Sequence, residues 1–415
     1  MTRPKIVITG MGVLAPNGKT LEEFWKACIS GTSGIDYIKA FGTEEFQVKI
    51  AAEVKDFDPS KYLLPGIYRK MDRFAQLGVS AAKMALDDAK LAIDPSNASR
   101  IGVVIGTGLG GILFHEEQII NVIQEGGPSK VMASAVPRIT PNSVSSYIGI
   151  AFGIKGPNYA ISTACSSGAN ALGQALLMLR AGLIDICIAG GVEAPITPVT
   201  LAAYQNLHCL STRNGHPFEA STPFDRNRNG FVLGEGAGIL VLETLEHAEQ
   251  RKAKGYGELL GYGSNCGAYS MVAPEPEGVD AAQAIEAALH DAQILPDQVD
   301  YINAHGTGTH YNDLAETKAI KRVFGKRAYE IPISSTKSMI GHTIGASGAI
   351  EAIVSVLTIQ NQEIHPTINL EEPDPECDLD YVPNRSRELG VQTIMSNSFG
   401  FGSNNAVLVF SEYQK

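Results

Sequence analysis

The 415-residue chain has no C-x-x-C pair, and no apolar stretch approaches the roughly 20 residues that a membrane helix needs. Each absence removes a class of function. The six cysteines, at 28, 165, 187, 209, 266 and 377, sit far apart, which argues against zinc and against a disulfide framework, and for a reducing cytoplasm. The start, MTRPKIVITGMG, leads straight into a strand-like pattern, so no signal peptide is expected. Positive charge is in short supply. With 33 Lys and Arg against 44 Asp and Glu the net charge is −11, which makes nucleic acid and anionic membranes poor partners. An acidic protein would need a local basic patch. YRKMDRF offers Arg69, Lys70 and Arg73, although a solvated helix face reads the same way.

What is present is alternation. Short apolar runs at 5–10, 100–106, 158–163, 185–191, 238–243, 299–304, 331–336 and 405–410 have polar residues only at their ends, the pattern of strands covered on both faces. Helix-period segments lie between them, among them 279–293 and 345–360. Such alternation predicts an α/β layered fold. No low-complexity linker divides the chain, and there is no sequence repeat, although the two halves show a similar order of elements. A break is expected near 250–258, after the charged HAEQRKAKGYG. The segment 366–384, rich in proline and acid, reads as a surface loop.

Two glycine clusters imitate a dinucleotide fingerprint: ITGMGVLA, and Gly106, Gly108 and Gly111 in IGTGLGG. A true fingerprint opens a helix within its glycines, onto the pyrophosphate. Here Pro16, Asn17 and Gly18 follow Gly12, and the helix is expected to begin at Thr20, whose spacing to Glu23 makes a capping box. The second cluster lacks a partner unit with a ribose-binding acid. Tight packing explains both better.

STACSSGAN, residues 162–170, puts Cys165 between small residues just before SSGANALGQALLMLRAG, whose Ala169, Leu172, Leu176 and Leu179 recur at helical spacing. Cys165 is therefore expected in the first turn of a buried helix, where unpaired N–H groups and the positive dipole end favour thiolate and would hold an oxyanion. A small core hydrophobe remains an equal reading, and it fits Cys28 and Cys187 well. Two histidines change the balance. His305 in NAHGTGT and His342 in STKSMIGHTIGASG both stand in Gly/Thr/Ser loops at strand ends, where an open α/β sheet gathers its site. Neither has a ligand-spaced companion, so no metal is expected.

TACSSG, NAHGTGT and STKSMIGHTIGASG, with GGVEAP, STPFDRNRNGFVLGEGAG and SNSFGFGSNN, resemble the β-ketoacyl-acyl-carrier-protein synthases of the thiolase-like superfamily, nearest to the type II elongating synthases of bacterial fatty-acid synthesis. The likeness runs from the first strand to residue 410. It implies two similar α/β halves packed as five αβαβα layers, 1–255 carrying the cysteine and 256–415 the two histidines, in a cytoplasmic homodimer that works on acyl carrier protein. It implies Cys165 as acyl-accepting nucleophile, His305 and His342 as the pair that holds the malonyl thioester carbonyl, and Lys337 as their electrostatic supporter with Glu316 as its ion-pair partner. Phe401 matches the gating aromatic, with its N–H joining that of Cys165 in an oxyanion hole. Thr307 and Thr309 match contacts to the pantetheine arm, and Leu109 a border of the acyl pocket. No cofactor is implied. A dedicated polyketide or polyene pathway would use the same chemistry, whereas a non-catalytic chain-length subunit typically lacks the cysteine. Biosynthetic thiolase is disfavoured because SFGFGSN stands where its second cysteine would lie. Two departures stand out: His310 and Asn312 where many members have proline and glycine, with asparagine able to take the left-handed turn, and GFGSNN in place of the commoner GFGGTN.

Overall fold

A strand sandwiched between two layers has no wet side, so runs apolar on both faces become central strands. The computed structural model describes residues 3–124 and 126–413, and within them ten strands form one sheet. They are β1 (Ile6–Leu14), β2 (Ile101–Gly106), β3 (Asn158–Ile161), β4 (Ile186–Glu193), β5 (Gly236–Thr244), β6 (Gly257–Cys266), β7 (Tyr301–Asn303), β8 (Ile333–Ser334), β9 (Thr393–Gly400) and β10 (Asn404–Ser411). The first five pair in the order β3-β2-β4-β5-β1 and the last five in the order β8-β7-β9-β10-β6. In the first set β3, β2 and β4 run parallel, and β5 and β1 are each antiparallel to the strand before. The second set repeats this pattern strand for strand. The two sets join where β1 meets β6, through Val7–Glu258 and Ile8–Gly257. The similar order of elements read from the sequence is thus a repeated strand order.

Seven helices matter to the site: α1 (Leu21–Ile29), α2 (Arg73–Ala89), α3 (Ser143–Phe152), α4 (Ser167–Arg180), α5 (Val279–Ala292), α6 (His310–Phe324) and α7 (Ser347–Asn361). Side-chain alternation along the strands divides the core into layers. Val103 and Ile105 of β2 face Leu77 and Ala81 of α2 and Ile148 of α3. Val104 faces the other way, into the cluster that holds Leu172 and Leu176 of α4 and Ile350 and Val354 of α7. Across the molecule, Val407 and Val409 of β10 pack with Ile285 of α5 and Ile320 of α6, while Leu408 joins the central cluster. The layers run α2/α3, first strand set, α4/α7, second strand set, α5/α6. One helical stretch, Ile344–Asn361, is long and apolar enough to cross a bilayer, but it is 89% buried inside the fold, as the central position of α7 requires.

The glycine clusters serve packing. A Cβ on Gly10 or Gly12 would fall 2.3 or 2.1 Å from the α2 carbonyls of Ala85 and Ala81, so these glycines let α2 lie directly on β1. Gly106 does the same for the Ser167 carbonyl at the start of α4. The first helix begins after Thr20, whose side chain takes the Glu23 N–H, and Glu23 reaches back to the Lys19 N–H.

Two strands escaped the sequence reading. β6, GELLGYGSNC, looks like a loop because Gly261 and Gly263 alternate with larger residues, yet those glycines accommodate the α5 backbone near Ala288 and Ala284. β9, TIMSNSFG, looks polar, yet Ser396, Asn397 and Ser398 are all buried. Asn312 also differs from expectation. It lies inside α6, and Gly306 (φ +36°) and Gly308 (φ +79°) make the left-handed turns instead.

Candidate active site

Cys165 sits in the turn between β3 and α4, preceding the N-cap Ser166 rather than within the first helical turn as expected. Ala164 before it holds φ +52°, a conformation a non-glycine residue keeps only when its surroundings impose it. They do. Ser167 Oγ donates to the Ala164 carbonyl (2.6 Å) and accepts from the Thr163 N–H (2.9 Å), and Asn170 Nδ2 donates to Thr163 Oγ1 (2.7 Å). Tyr262, on β6, donates in turn to Asn170 Oδ1 (2.6 Å), so the second half of the chain clamps the Cys165 turn of the first.

The sulfur is buried. Burial pushes the thiol up to about 11, against the opposing pull of the Phe401 N–H, the Lys337 charge and its own N–H. The resting state expected from the helix dipole, a thiolate, is therefore not what this pocket provides. The group is a thiol at neutral pH. Both N–H groups aimed at the sulfur, from Cys165 and Phe401, are those expected to form an oxyanion hole. Gly400 makes the approach possible, since a Cβ there would stand 3.1 Å from the Cys165 nitrogen.

His305 follows β7 and His342 precedes α7. Their ring centroids are 5.3 Å apart at 84°, both are buried, and both line one cavity of about 380 Å³ with Cys165. Burial first, then the Lys337 charge, lowers both imidazoles well below their ordinary value, so both rings are neutral at pH 7. The structure also assigns a tautomer to His342. The Ile344 N–H, which can only donate, points at Nδ1 (3.2 Å), so Nδ1 carries the lone pair and Nε2 the proton. Ile344 holds φ +46°, a costly conformation for a β-branched residue, and that turn is what aims its N–H at the ring. His305 Nδ1 is buried without a partner. Phe399 and Phe231 flank the two rings at 5.8 and 5.1 Å.

Lys337 is fully buried and its partner is Glu351 of α7 (2.5 Å), not Glu316 as expected. Glu316 instead accepts the N–H groups of His305 and Gly306 (2.8 Å each) and Asn397 Nδ2 (3.0 Å), which fixes the backbone carrying His305. The sequence did hold a signal for Glu351, a lone carboxylate in the apolar run GASGAIEAIVSVLTIQ, because a buried charge demands a partner. Removing one member of such a pair strands the other. Glu351→Ala is expected to lower the unfolding free energy by about 3–5 kcal/mol in a urea titration, and the joint variant Glu351→Leu with Lys337→Met to recover most of it.

Thr307 and Thr309 line the cavity and bond each other through their hydroxyls (2.8 Å). Phe401 lines it beside Tyr204, at 6.4 Å between rings. Leu109 is not brought to this cavity. Its N–H and that of Gly108 are held by Glu193, a fully buried carboxylate that also takes Thr107 Oγ1 and the Gly345 N–H. Ile344, which does line the cavity, packs against Gly108. Glu193 thus ties the Leu109 loop to the His342 segment, a role its place in GGVEAP did not reveal.

The basic cluster also needs correction. Arg73 is not available for docking, because its guanidinium forms a two-point pair with Glu235 (2.7 and 2.5 Å). Arg69 and Lys70 are exposed, and Arg138 braces their turn through both carbonyls while stacking on Phe114. Among the described residues no group of three or more His, Cys, Asp and Glu is arranged to hold a metal ion.

Two family descriptions match the chain: "Beta-ketoacyl synthase, N-terminal domain" over residues 3–248 and "Beta-ketoacyl synthase, C-terminal domain" over 256–371. A curated relative, the 3-oxoacyl-[acyl-carrier-protein] synthase 2 of Synechocystis sp., is 46% identical over 414 residues, covering 100% of this chain and 99% of that one. Among solved structures, the ishigamide ketosynthase/chain length factor superposes with a TM-score of 0.94 at 36% identity over 100% of both chains. A type II polyketide ketosynthase solved with its acyl-carrier protein and bound to the hexaketide gives 0.91 at 36% identity, over 99% of this chain and 100% of that one. Two buried neutral imidazoles and one buried thiol around a single cavity, within this repeated α/β framework, fit that kinship, and the chain belongs to the β-ketoacyl synthase family.

Proposed function

We propose that the protein lengthens acyl chains by decarboxylative condensation with malonyl-acyl carrier protein in fatty-acid elongation, with Cys165 as nucleophile and His305 and His342 as the decarboxylating pair. The observation that carries the reading is the shared cavity of about 380 Å³, where a thiol and two neutral rings from opposite ends of the fold converge. In the first half-reaction the Cys165 sulfur attacks the carrier-bound thioester. The carbon–sulfur bond to the carrier breaks, and the thiol proton ends on the departing carrier thiol. The two N–H groups at the sulfur receive the transient oxyanion.

Malonyl carrier then occupies the mouth, its arm passing Thr307 and Thr309. Loss of carbon dioxide leaves an enolate whose oxygen gathers the charge. His342, protonated on Nε2 through the bond to Ile344, donates to that oxygen without surrendering a proton to the carbanion, and His305 is the second donor. The enolate carbon attacks the Cys165 thioester, the carbon–sulfur bond breaks, and the thiolate recovers one proton from solvent. The Lys337 ammonium, held in place by its ion pair with Glu351, adds to burial in biasing both rings toward the uncharged form. The division into 1–255 and 256–415 assigns the sulfur to one half and the imidazoles to the other.

The solved relatives include a type II polyketide ketosynthase, but identity to the 3-oxoacyl-[acyl-carrier-protein] synthase 2 relatives is higher, 44–46% against 36%. A carrier protein, being acidic, suits the exposed pair Arg69 and Lys70. Six free thiols support a reducing, cytoplasmic setting, and the exposed edge strand β3 supports pairing with a second copy. Incubation with acyl carriers of graded length plus malonyl carrier, followed by mass analysis, tests the reading. Each accepted donor is expected to yield the 3-oxoacyl product two carbons longer. Decarboxylation without any extended product would remove the synthase assignment.

A further inference from the structure

The departure GFGSNN puts a serine where glycine is commoner, in a left-handed turn that glycine would take freely. Gly402 has φ +75° and Ser403 φ +57°. What holds Ser403 there is visible. Its hydroxyl accepts the N–H groups of Tyr269 (3.2 Å) and Ser270 (3.1 Å) and donates to the Ser270 carbonyl (3.0 Å), which exhausts its one donor and two lone pairs. The backbone adds two more ties: Gly267 N–H to the Ser403 carbonyl (2.8 Å) and Gly402 N–H to the Met271 carbonyl (2.9 Å).

These five bonds join two segments with distinct positions. The segment 267–273 ends in Val272 and Ala273, which line the mouth of the cavity, and Ser270 Oγ caps both of their N–H groups. The segment 400–403 carries Phe401, whose ring lines the cavity and whose N–H faces the Cys165 sulfur. Ile344, which also lines the cavity, is fixed by its N–H bond to His342 and by Glu193 holding Gly345. Phe401 stands two residues before Ser403, so a shift of the Phe401 backbone pulls on the bonds that Ser403 makes.

We propose that Ser403 is a positioning residue that latches the mouth segment to the Phe401 segment, so that mouth and gate open together and water is kept from the acylated cysteine while they are shut. The functional half of this inference rests on the synthase reading; the structural half does not.

The test uses full-length Ser403→Gly and Ser403→Ala. Glycine removes the hydroxyl and relieves the turn, whereas alanine removes the hydroxyl and keeps the left-handed strain. In hydrogen exchange, amides of 267–273 are expected to exchange about tenfold faster in both variants, the scale of a lost net hydrogen bond, with α4 and α7 unchanged. With Cys165 loaded by a long-chain donor, hydrolysis should rise about fivefold in both, an increment of the same origin. In that reaction water adds to the carbonyl, the carbon–sulfur bond breaks, the fatty acid leaves and Cys165 regains its proton. Unchanged exchange in either variant overturns the latch. Faster exchange with unchanged hydrolysis overturns its coupling to the gate. An effect in the alanine variant alone assigns the result to strain and also overturns it. If the unsubstituted protein never becomes acylated, the synthase reading fails, and the exchange measurement alone decides the latch.

Discussion

Cys165→Ala abolishes acyl loading while leaving malonyl decarboxylation in place. The expected loss is to background, on the order of the 10⁶-fold seen when a hydrolase loses its nucleophile. The reasoning is geometric. Among the described residues, Cys165 is the thiol that shares the cavity with both imidazoles and has its pKa pulled down, against burial, by the N–H groups of Phe401 and Cys165, while the adjacent Ser166 and Ser167 are both spent on the turn itself. Cys209 lines the same cavity but bonds the Tyr204 carbonyl, and burial pushes it up to about 12. Decarboxylation needs the imidazoles and not the sulfur, so the variant should still release carbon dioxide from malonyl carrier. Intact-mass analysis after exposure to acyl carrier reads the first result and carbon dioxide release the second. An acyl adduct persisting on the variant would transfer the nucleophile role elsewhere.

His305→Ala separates the half-reactions the other way. Acylation of Cys165 should persist, and condensation should fall by about 10²–10³, the range for losing one preorganised donor to a developing oxyanion. His342→Ala carries the same expectation with an added cost, since the Ile344 N–H and Ser347 hydroxyl lose the ring they orient. The pH profile distinguishes donors from acid catalysts. Both rings are lowered well below the ordinary histidine value, so they remain neutral as the pH falls through 6.5, where an exposed histidine would become charged. Condensation should then be level from pH 8 to pH 6. Stability follows the opposite logic on the acid side. An unfolded chain binds protons at these two positions that the folded chain refuses, so their contribution is present above about 6.5 and declines as the pH falls below it. A condensation rate that rose toward acid would mean a charged imidazole is the active form.

The sequence exposes Cys165, His305 and His342 because each sits among residues too small to need them for packing. The supporting shell was less legible. Glu316 lies on a helix it shares with Asp313, and Glu351 is the lone carboxylate of an apolar run, and which one meets Lys337 depends on how α6 and α7 cross the sheet, a tertiary fact. Arg73 looks basic in isolation, but its neutralising Glu235 lies far along the chain. The position of the Leu109 loop was hidden for the same reason, since Glu193 from another strand decides where it goes. Helices at 279–293 and 345–360 and the apolar strands were readable from period alone. β6 and β9 were not, because burial there accommodates glycine, serine and asparagine whose neighbours come from distant segments.

The nucleophile turn rests on Tyr262 from the second set of strands, while the imidazoles belong to that set throughout. Productive chemistry accordingly appears only at the end of assembly. A nascent chain with its first strands in place offers a sulfur in a turn that Ser167 and Asn170 hold but Tyr262 does not yet clamp, and no ring to release carbon dioxide. Malonyl carrier is thus protected from wasteful breakdown by partly made protein, and each finished molecule begins work with both half-reactions available at once.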